Sequence, residues 1–445
     1  MSLKNVIVGL GITGESLLDY FISLGQPCVG IEEVSREIFQ KVKEKYVGKA
    51  AQFYFGDIPK TVFDDAKQFF ISPGVPPTRE WVALAKKKNI PVTGEMEFAS
   101  QKLSGKLIAV TGTNGKSTSV SLIQTILQEG GYSSGLKGNI GTPLITAVNE
   151  SPKDYYVLEA SSFQLETVEN FKPKVAVVLN VTSDHLERYE SMQAYADAKA
   201  LVTKNQSADD FFIYNADDPY CVLMETKAKK LPFSLVNQFP EGAFVEKNTM
   251  VVRWKGTEFR YELSEMPISG LHNQENMLAA ILSLTVLNVP YSVILSGLKK
   301  YRALPHRLEK VGCFKGISFY DDSKATNVGS VVMSLASFDK NVILILGGRD
   351  KGGEYNPLYA MVKHKVKALI IYGEAREKIA KAFSFFENKK VVPTMPEVVS
   401  EAYRVAKSGD TVLFSPACSS FDLYKNYAQR GNHFQELVRG MGDCC

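Results

Sequence analysis

The residues of this chain best suited to chemistry stand together in the run Gly112-Thr113-Asn114-Gly115-Lys116-Ser117-Thr118. An apolar stretch, Leu107 to Val110, feeds the first glycine, and a helical pattern with Val120, Ile123 and Leu127 on one face follows. A buried strand, a glycine-rich turn and a helix start, in that order, make a phosphate cradle. Backbone N–H groups and the helix dipole point at the anion, and glycine lets the backbone close on it. Lys116 supplies a point charge for the outer phosphates, and the Ser117 hydroxyl is a ligand for Mg²⁺. The common form of this loop has a glycine where Val110 stands, so the loop here is a shortened variant. An ordinary strand–turn–helix would leave the run unexplained.

Other reactive side chains fall where parallel α/β sheets place their ligands, at the carboxyl ends of strands. Glu159 ends the apolar run Tyr155–Leu158, and His185 follows Val175–Leu179 through Asn180-Val181-Thr182-Ser183-Asp184. Each alone reads as a loop residue; two beside a phosphate loop point to metal-binding roles. Asn273 and Asn276 share a face of the helix expected from Leu271 to Leu287, where they either read a base edge or cap the helix. Lys199, in a helix expected over Tyr195–Val202, reads by residue type as a solvated cation.

The elements that must position these groups form three alternating α/β units. In the first, the strand Lys4–Val8 leads into Gly9-Leu10-Gly11-Ile12-Thr13-Gly14, a helix through Leu24, and a strand Cys28–Ile31 ending in Glu32 and Glu33. This is the dinucleotide fingerprint in outline, and alone it indicates an NAD-dependent oxidoreductase, although the same turn accepts any diphosphate. After Phe69–Ile71 comes Ser72 to Pro77, read as a rigid turn in place of a continued doubly wound sheet, or as a rim on the same ligand site. The unit closes by Thr93-Gly94. Glu95 to Ser104 is the expected linking helix, and Ala243 to Leu263 alternates like a small antiparallel excursion. A third unit begins near Tyr301 with strands over Ile317–Tyr320, Val342–Leu346 and Thr411–Phe414. Its strands end in polar, charged loops without a phosphate loop, which suits it to presenting a second substrate. The expected boundaries are 1–94, 95–299 and 300–445.

Composition limits the alternatives. At 445 residues, 45% hydrophobic and 22% charged, the chain has room for several globular domains. A net charge of +4 from 52 basic and 48 acidic residues is too balanced for a nucleic-acid surface. The basic runs Lys86–Lys88 and Lys229–Lys230 read as solvated helix ends. Six cysteines without a C-x-x-C, two of them the pair Cys444–Cys445, suit reduced thiols. The N-terminus enters a strand with no basic-then-apolar leader, and no apolar run approaches the ~20 residues of a membrane span. A cytoplasmic location without membrane contact is therefore expected.

Taken together, these runs resemble the Mur ligases. The resemblance covers nearly the whole chain in matching order. It rests on G-T-N-G-K-S-T at Gly112–Thr118, G-N-I-G at Gly138–Gly141, E-A-S-S-F-Q-L-E at Glu159–Glu166 and D-H at Asp184–His185. It continues in H-N-x-x-N at His272–Asn276, P-H-R at Pro305–Arg307 and D-S-K-A-T-N at Asp322–Asn327. The run S-P-A-C-S-S-F-D from Ser415, with K-N-Y-A-Q-R-G at Lys425–Gly431, is similar to the D-glutamate-adding branch, and the D-N-P-R run of the diaminopimelate-adding branch is absent.

The resemblance implies a Rossmann-like N-terminal domain, a central P-loop-type ATPase domain and a Rossmann-like C-terminal domain. It implies an ATP- and Mg²⁺-dependent amide ligase that adds D-glutamate to UDP-N-acetylmuramoyl-L-alanine through an acyl phosphate, in peptidoglycan precursor synthesis, as a monomer. Gly11, Ile12, Thr13, Ser72 and Gly74 would then hold UDP, with Asn139 on the muramoyl part. Glu32-Glu33 departs from the acidic pattern expected at the uracil and ribose. Gly112 to Thr118 and Arg307 would meet the ATP phosphates, Asn273 and Asn276 the adenine, and Asp322 the ribose. Ser117, Glu159 and His185 would hold Mg²⁺, joined by Lys199 as a CO₂-derived carbamate. Thr326, Lys351, Ser420 and Tyr427 would bind D-glutamate, Tyr427 standing where the family often has Phe. Lys116, Glu159, His185 and Lys199 are the expected catalytic set, and His185 is a candidate base for the amine. A folylpolyglutamate synthase-like ligase would lack use for the complete N-terminal glycine-rich unit. An oxidoreductase would leave Gly112–Thr118 idle, and a non-catalytic nucleotide-binding regulator would not need Glu159, His185 and Lys351 together.

Overall fold

The computed structural model describes residues 3–185, 188–268 and 270–442. The pair Cys444–Cys445 lies outside them, and Cys28, Cys221, Cys313 and Cys418 are not joined in disulfides.

The first sheet is parallel, in the spatial order Ala51–Phe55, Cys28–Glu32, Lys4–Val8, Ala66–Ile71, Val92–Gly94. Strand order reverses between Lys4–Val8 and Ala66–Ile71, and a crevice opens at such a switch point. The turns leaving these two strands are Gly9–Gly14 and Ser72–Pro77. The second turn does not stand in place of a continued sheet, which corrects the expectation. The helix Glu80–Lys87 buries Trp81, Val82 and Ala85 and returns the chain to a fifth parallel strand, with Phe69 opposite Val92.

The second sheet has nine strands, in the order Thr257–Glu262, Thr249–Trp254, Gly242–Glu246, Lys229–Ser234, Phe211–Asn215, Val175–Val178, Lys106–Thr111, Tyr155–Glu159, Ser134–Gly138. The first three form the antiparallel excursion; the rest pair in parallel. Lys229 and Lys230 therefore open a strand, where a helix end was expected. Strands covered on both faces must be apolar throughout. Accordingly Ile108 and Val110 pack beneath the helices Lys116–Glu129 and Leu271–Thr285. Leu107 and Ala109 join a cluster that runs into the first unit through Ile7, Phe21 and Met96. The linking helix is shorter than expected, Glu95–Ser100. The helix bearing Lys199 begins earlier, at Met192, because the Ser191 hydroxyl accepts the N–H of Ala194 and caps it.

The third sheet runs Glu309–Phe314, Ile317–Asp321, Thr411–Ala417, Val342–Gly347, Val366–Tyr372, Lys389–Val391. Only its first strand is antiparallel to its neighbour. Among the described residues no helix is long and apolar enough to cross a membrane.

Candidate active site

Two glycines give the phosphate loop its shape. Gly112 has φ 143°, and Gly115, which precedes the helix Lys116–Glu129, has φ 86°. A Cβ on Gly115 would sit 2.1 Å from the Asn276 side-chain oxygen, so glycine is required there by both conformation and space. The neighbouring loop pins the turn from outside: Thr113 N–H donates to the Asn180 carbonyl at 2.9 Å and Asn114 N–H to its side-chain oxygen at 2.8 Å. Lys116 folds over its own loop, with Nζ 2.8 Å from the carbonyls of both Gly112 and Thr113.

Glu159 lies at the end of the adjacent strand, 2% exposed. One of its oxygens accepts the Ser117 hydroxyl at 2.6 Å and the other accepts Asn139 Nδ2 at 2.8 Å. Burial disfavours its charge, yet Lys116, then Asn139 and Ser117, hold the carboxyl below its ordinary range. His185 has φ 56°, packs edge-on against Phe163 with centroids 4.8 Å apart, and has Nε2 3.8 Å from Asp184. A hydroxyl, a carboxylate and an imidazole around one cavity fit a hard cation that keeps waters and phosphate oxygens as its other ligands.

That cavity, about 740 Å³, is closed by the third unit. Its walls hold Thr113 to Thr118, Asn139, Glu159, His185, Asn273, Asn276, Arg307, Asp322, Thr326 and Lys351. Asn327 Nδ2 donates to the Asn114 side chain at 3.2 Å and to Asp184 at 3.0 Å. The Ser330 hydroxyl reaches Asn114 at 2.8 Å, and Lys351 lies 3.8 Å from Asp184. The third unit thus bonds directly to the phosphate loop. Against burial, Lys351, His185 and Asn327 keep Asp184 below the ordinary carboxylate range.

Several expected residues are engaged in ways sequence did not foretell. The Asp322 carboxylate accepts Ser334 and Ser415 hydroxyls at 2.5 and 2.7 Å and the Leu308 N–H at 3.2 Å; burial pushes its pKa up to about 6. Asn276 is buried, and its side-chain oxygen accepts the Ser119 hydroxyl at 3.3 Å. Ser420 and Tyr427 stand outside the cavity wall on which Thr326 and Lys351 lie. Tyr427 lies behind Lys324, whose Nζ is 4.1 Å from the ring centre. Lys324, overlooked in the sequence, lines the cavity, and burial followed by Arg307 lowers its pKa to about 8. Asp184 and Asn327 were likewise overlooked as site residues, although both stand in the runs that carry the resemblance.

Lys199 is 1% exposed, not solvated. Its Nζ donates to the Gly112 carbonyl at 2.9 Å and lies 4.2 Å from the Tyr195 ring centre. Burial, then Lys116, pushes its pKa well below that of an ordinary lysine.

In the first unit, Gly11 precedes the helix Ile12–Ser23, and Ile12 is 75% exposed at its start. The Ser72 hydroxyl donates to the Gly9 carbonyl at 2.6 Å, bringing the two crevice turns together. Glu32 accepts the N–H groups of Leu10, Val34 and Ser35 at 2.9, 3.0 and 3.1 Å. An acid so engaged ties two turns to each other, and the oxidoreductase reading loses the carboxylate it needs for a ribose.

Comparison with known proteins follows this division. Residues 3–94 match the family description "Mur ligase MurD-like, N-terminal domain", residues 110–284 "Mur ligase middle domain", and residues 306–418 "Mur ligase, glutamate ligase domain". The UDP-N-acetylmuramoylalanine–D-glutamate ligase of Geotalea uraniireducens is 38% identical over 443 residues, covering 99% of this chain and 98% of the relative. The protein of the same name from Christiangramia forsetii is 40% identical, covering 90% and 92%. Among solved structures, MurF from Acinetobacter baumannii superposes with a TM-score of 0.64 at 15% identity, covering 92% and 90%. UDP-N-acetylmuramate–alanine ligase from Thermotoga maritima gives 0.60 at 17%, covering 99% and 100%. These two show the shared fold. Fold and site define the class, a three-part phosphate-loop enzyme that forms amide bonds at the expense of ATP. The chain belongs to the Mur ligase family.

Proposed function

We propose that the protein joins D-glutamate to UDP-N-acetylmuramoyl-L-alanine in peptidoglycan precursor synthesis, working as a monomer in the cytoplasm. The observation that carries this reading is the closure of the phosphate loop by the third unit. Asn327 and Ser330 bond to Asn114, and Thr326 and Lys351 share one cavity with Lys116, Glu159 and His185. Support for the named substrates comes from relatives of that activity matched over nearly full length. In this reading residues 1–94 bind UDP, 95–299 bind ATP, and 300–445 present D-glutamate.

A carboxylate does not react with an amine at neutral pH, because its oxygen is a poor leaving group. The alanyl carboxylate therefore attacks the terminal phosphorus of ATP, forming an acyl phosphate and releasing ADP. The D-glutamate amine then attacks the acyl carbon, and phosphate leaves. The first step is chiefly positioning and charge neutralisation. Lys116, Arg307 and Lys324 bring positive charge to the phosphates, and the backbone amides of Gly115 to Thr118 orient them, those of Thr113 and Asn114 being bonded to Asn180. Mg²⁺, when held by Ser117, Glu159 and His185, neutralises phosphate charge further. Lys351 and Thr326 receive the D-glutamate carboxylates, and His185 is the candidate acceptor for the amine proton only where its lone pair is not given to Mg²⁺. Lys199 as a carbamate would supply a further negative group to hold Mg²⁺; its buried, readily deprotonated amine fits that modification, which would displace its bond to Gly112. Incubation with ATP, UDP-N-acetylmuramoyl-L-alanine and either glutamate enantiomer tests the reading. Mass analysis should find the amide product with the D form, and its absence would refute the assignment.

A further inference from the structure

Arg188 stands where the first and second units meet and touches both. Its Nη1 donates to the Pro73 carbonyl at 3.3 Å, in the turn that borders the nucleotide crevice. Its Nε and Nη2 make a forked pair with the two Glu166 oxygens at 3.2 and 2.5 Å. The guanidinium carbon lies 4.3 Å from the centre of the Phe163 ring, which in turn packs against the ring of His185. The Tyr189 hydroxyl donates to the same carboxylate at 2.6 Å. A planar fork, a stacked face and a carbonyl together leave the side chain one orientation.

The covalent link between the units is fixed separately. Glu97, on the linking helix, accepts the N–H groups of Glu169, Asn170 and Phe171 at 3.0, 2.9 and 2.9 Å. Beside that link and the apolar cluster the two units share, Arg188 is a polar tie, reaching from the loop that carries His185 to the loop that carries Ser72 and Gly74. Its side chain is 15% exposed, so the contact with Pro73 is made away from bulk water.

We infer that Arg188 is a positioning residue that fixes the span between the nucleotide-anchoring turn and the His185 wall of the cavity. The inference rests on the function proposed above, in which one substrate carries UDP at one end and the reacting carboxylate at the other. A ligand that engages two sites at once gains from the second only when the sites are held at the span of its linker. Loss of the tie therefore weakens the bridging ligand and spares a ligand that occupies one site.

The test compares full-length wild type with Arg188→Ala, Arg188→Lys and Glu166→Gln by calorimetric titration. UDP alone should bind all four within about twofold, whereas UDP-N-acetylmuramoyl-L-alanine should lose about tenfold or more in each variant. Lysine, which keeps the charge but not the fork, should behave like alanine. A parallel loss of UDP affinity would overturn the inference, because it would place Arg188 in the nucleotide site or in the folding of the first unit. Unchanged affinity for the full substrate would overturn it too. Should Arg188→Ala fail to fold, Glu166→Gln carries the same comparison. Failure of the wild type to bind UDP-N-acetylmuramoyl-L-alanine would instead refute the proposed function.

Discussion

Lys116 and Lys199 donate to the same atom, the carbonyl oxygen of Gly112, at 2.8 and 2.9 Å. Two ammonium groups converging on one carbonyl repel, and burial lowers the pKa of both. Glu159 and Asp184 partly offset this at Lys116, whereas Lys199, enclosed among Tyr195, Cys221 and the loop, falls well below an ordinary lysine. The phosphate loop therefore rests on one lysine poised for anions and another poised to be neutral.

The proposed carbamylation of Lys199 needs that neutrality. Deprotonating an ordinary lysine at pH ~7.4 costs about 4 kcal/mol, and burial removes much of that cost. Lys199→Ala is expected to be nearly inactive and to be partly restored by acetate, which fills the vacated anion site. Lys199→Arg is expected to fail, because it keeps a cation. Intact-mass analysis with CO₂ and Mg²⁺ checks the modification directly; free amine alone, or an active arginine variant, would exclude it.

Lys116→Ala should lower turnover by about a hundredfold or more, the scale of losing one preorganised charge on a transferring phosphoryl group. Affinity for the UDP substrate should stay largely intact, since its nucleotide end lies in another unit. Steady-state kinetics with a UDP-substrate titration measures both, and near-normal turnover would remove ATP from this loop.

Lys351 lies 3.8 Å from Asp184 across the units on the cavity wall, and in the proposed reading it receives a D-glutamate carboxylate. Lys351→Ala should raise the KM for D-glutamate about tenfold or more, from the ~1.5–3 kcal/mol of a charged hydrogen bond. The KM for ATP should change far less. Equal effects on both would assign Lys351 to the nucleotide.

A prediction about stability comes from Glu95, which is 3% exposed at the start of the linking helix and accepts the Ile145 N–H at 2.5 Å. Burial raises its pKa from an ordinary 4.5 to about 7. Between those values the unfolded chain has ionised Glu95 while the folded protein still holds the proton. Stability therefore falls as pH rises through this window, and the loss is complete above the folded pKa. Glu95→Gln lacks that proton linkage. Its stability relative to wild type should improve by about 2–3 kcal/mol between pH 4.5 and 8. Denaturant melts at both pH values measure the difference; a pH-independent gap would contradict the raised pKa.

Much of this was legible in the chain because glycine, burial and strand ends leave local marks. The strand Lys4–Val8 and the turn at Gly112–Gly115 follow from apolar runs that stop at glycines, and both expectations match the structure. Ser72–Pro77 misled because its prolines look like a terminator, whereas Trp81, Val82 and Ala85 beyond it form one buried helix face that resumes the sheet. Lys199 was illegible as buried because the residues that enclose it, Gly112 and Tyr195, sit on other segments or across one helical turn. Lys324 and Asn327 were visible only as letters in a motif. The approach of Lys324 to Tyr427 depends on the tertiary fold of the third unit, and that of Asn327 to Asn114 on how this unit docks; no local pattern encodes either.

The central claim is that ATP cleavage at the Lys116 loop is coupled to joining two other substrates. Phosphate release by the purified protein with Mg²⁺ and ATP, measured with each substrate alone and with both, tests it most directly. Sustained release is expected only when UDP-N-acetylmuramoyl-L-alanine and D-glutamate are both present, in step with amide product. Sustained release with either one missing, or no release with both, would contradict the account.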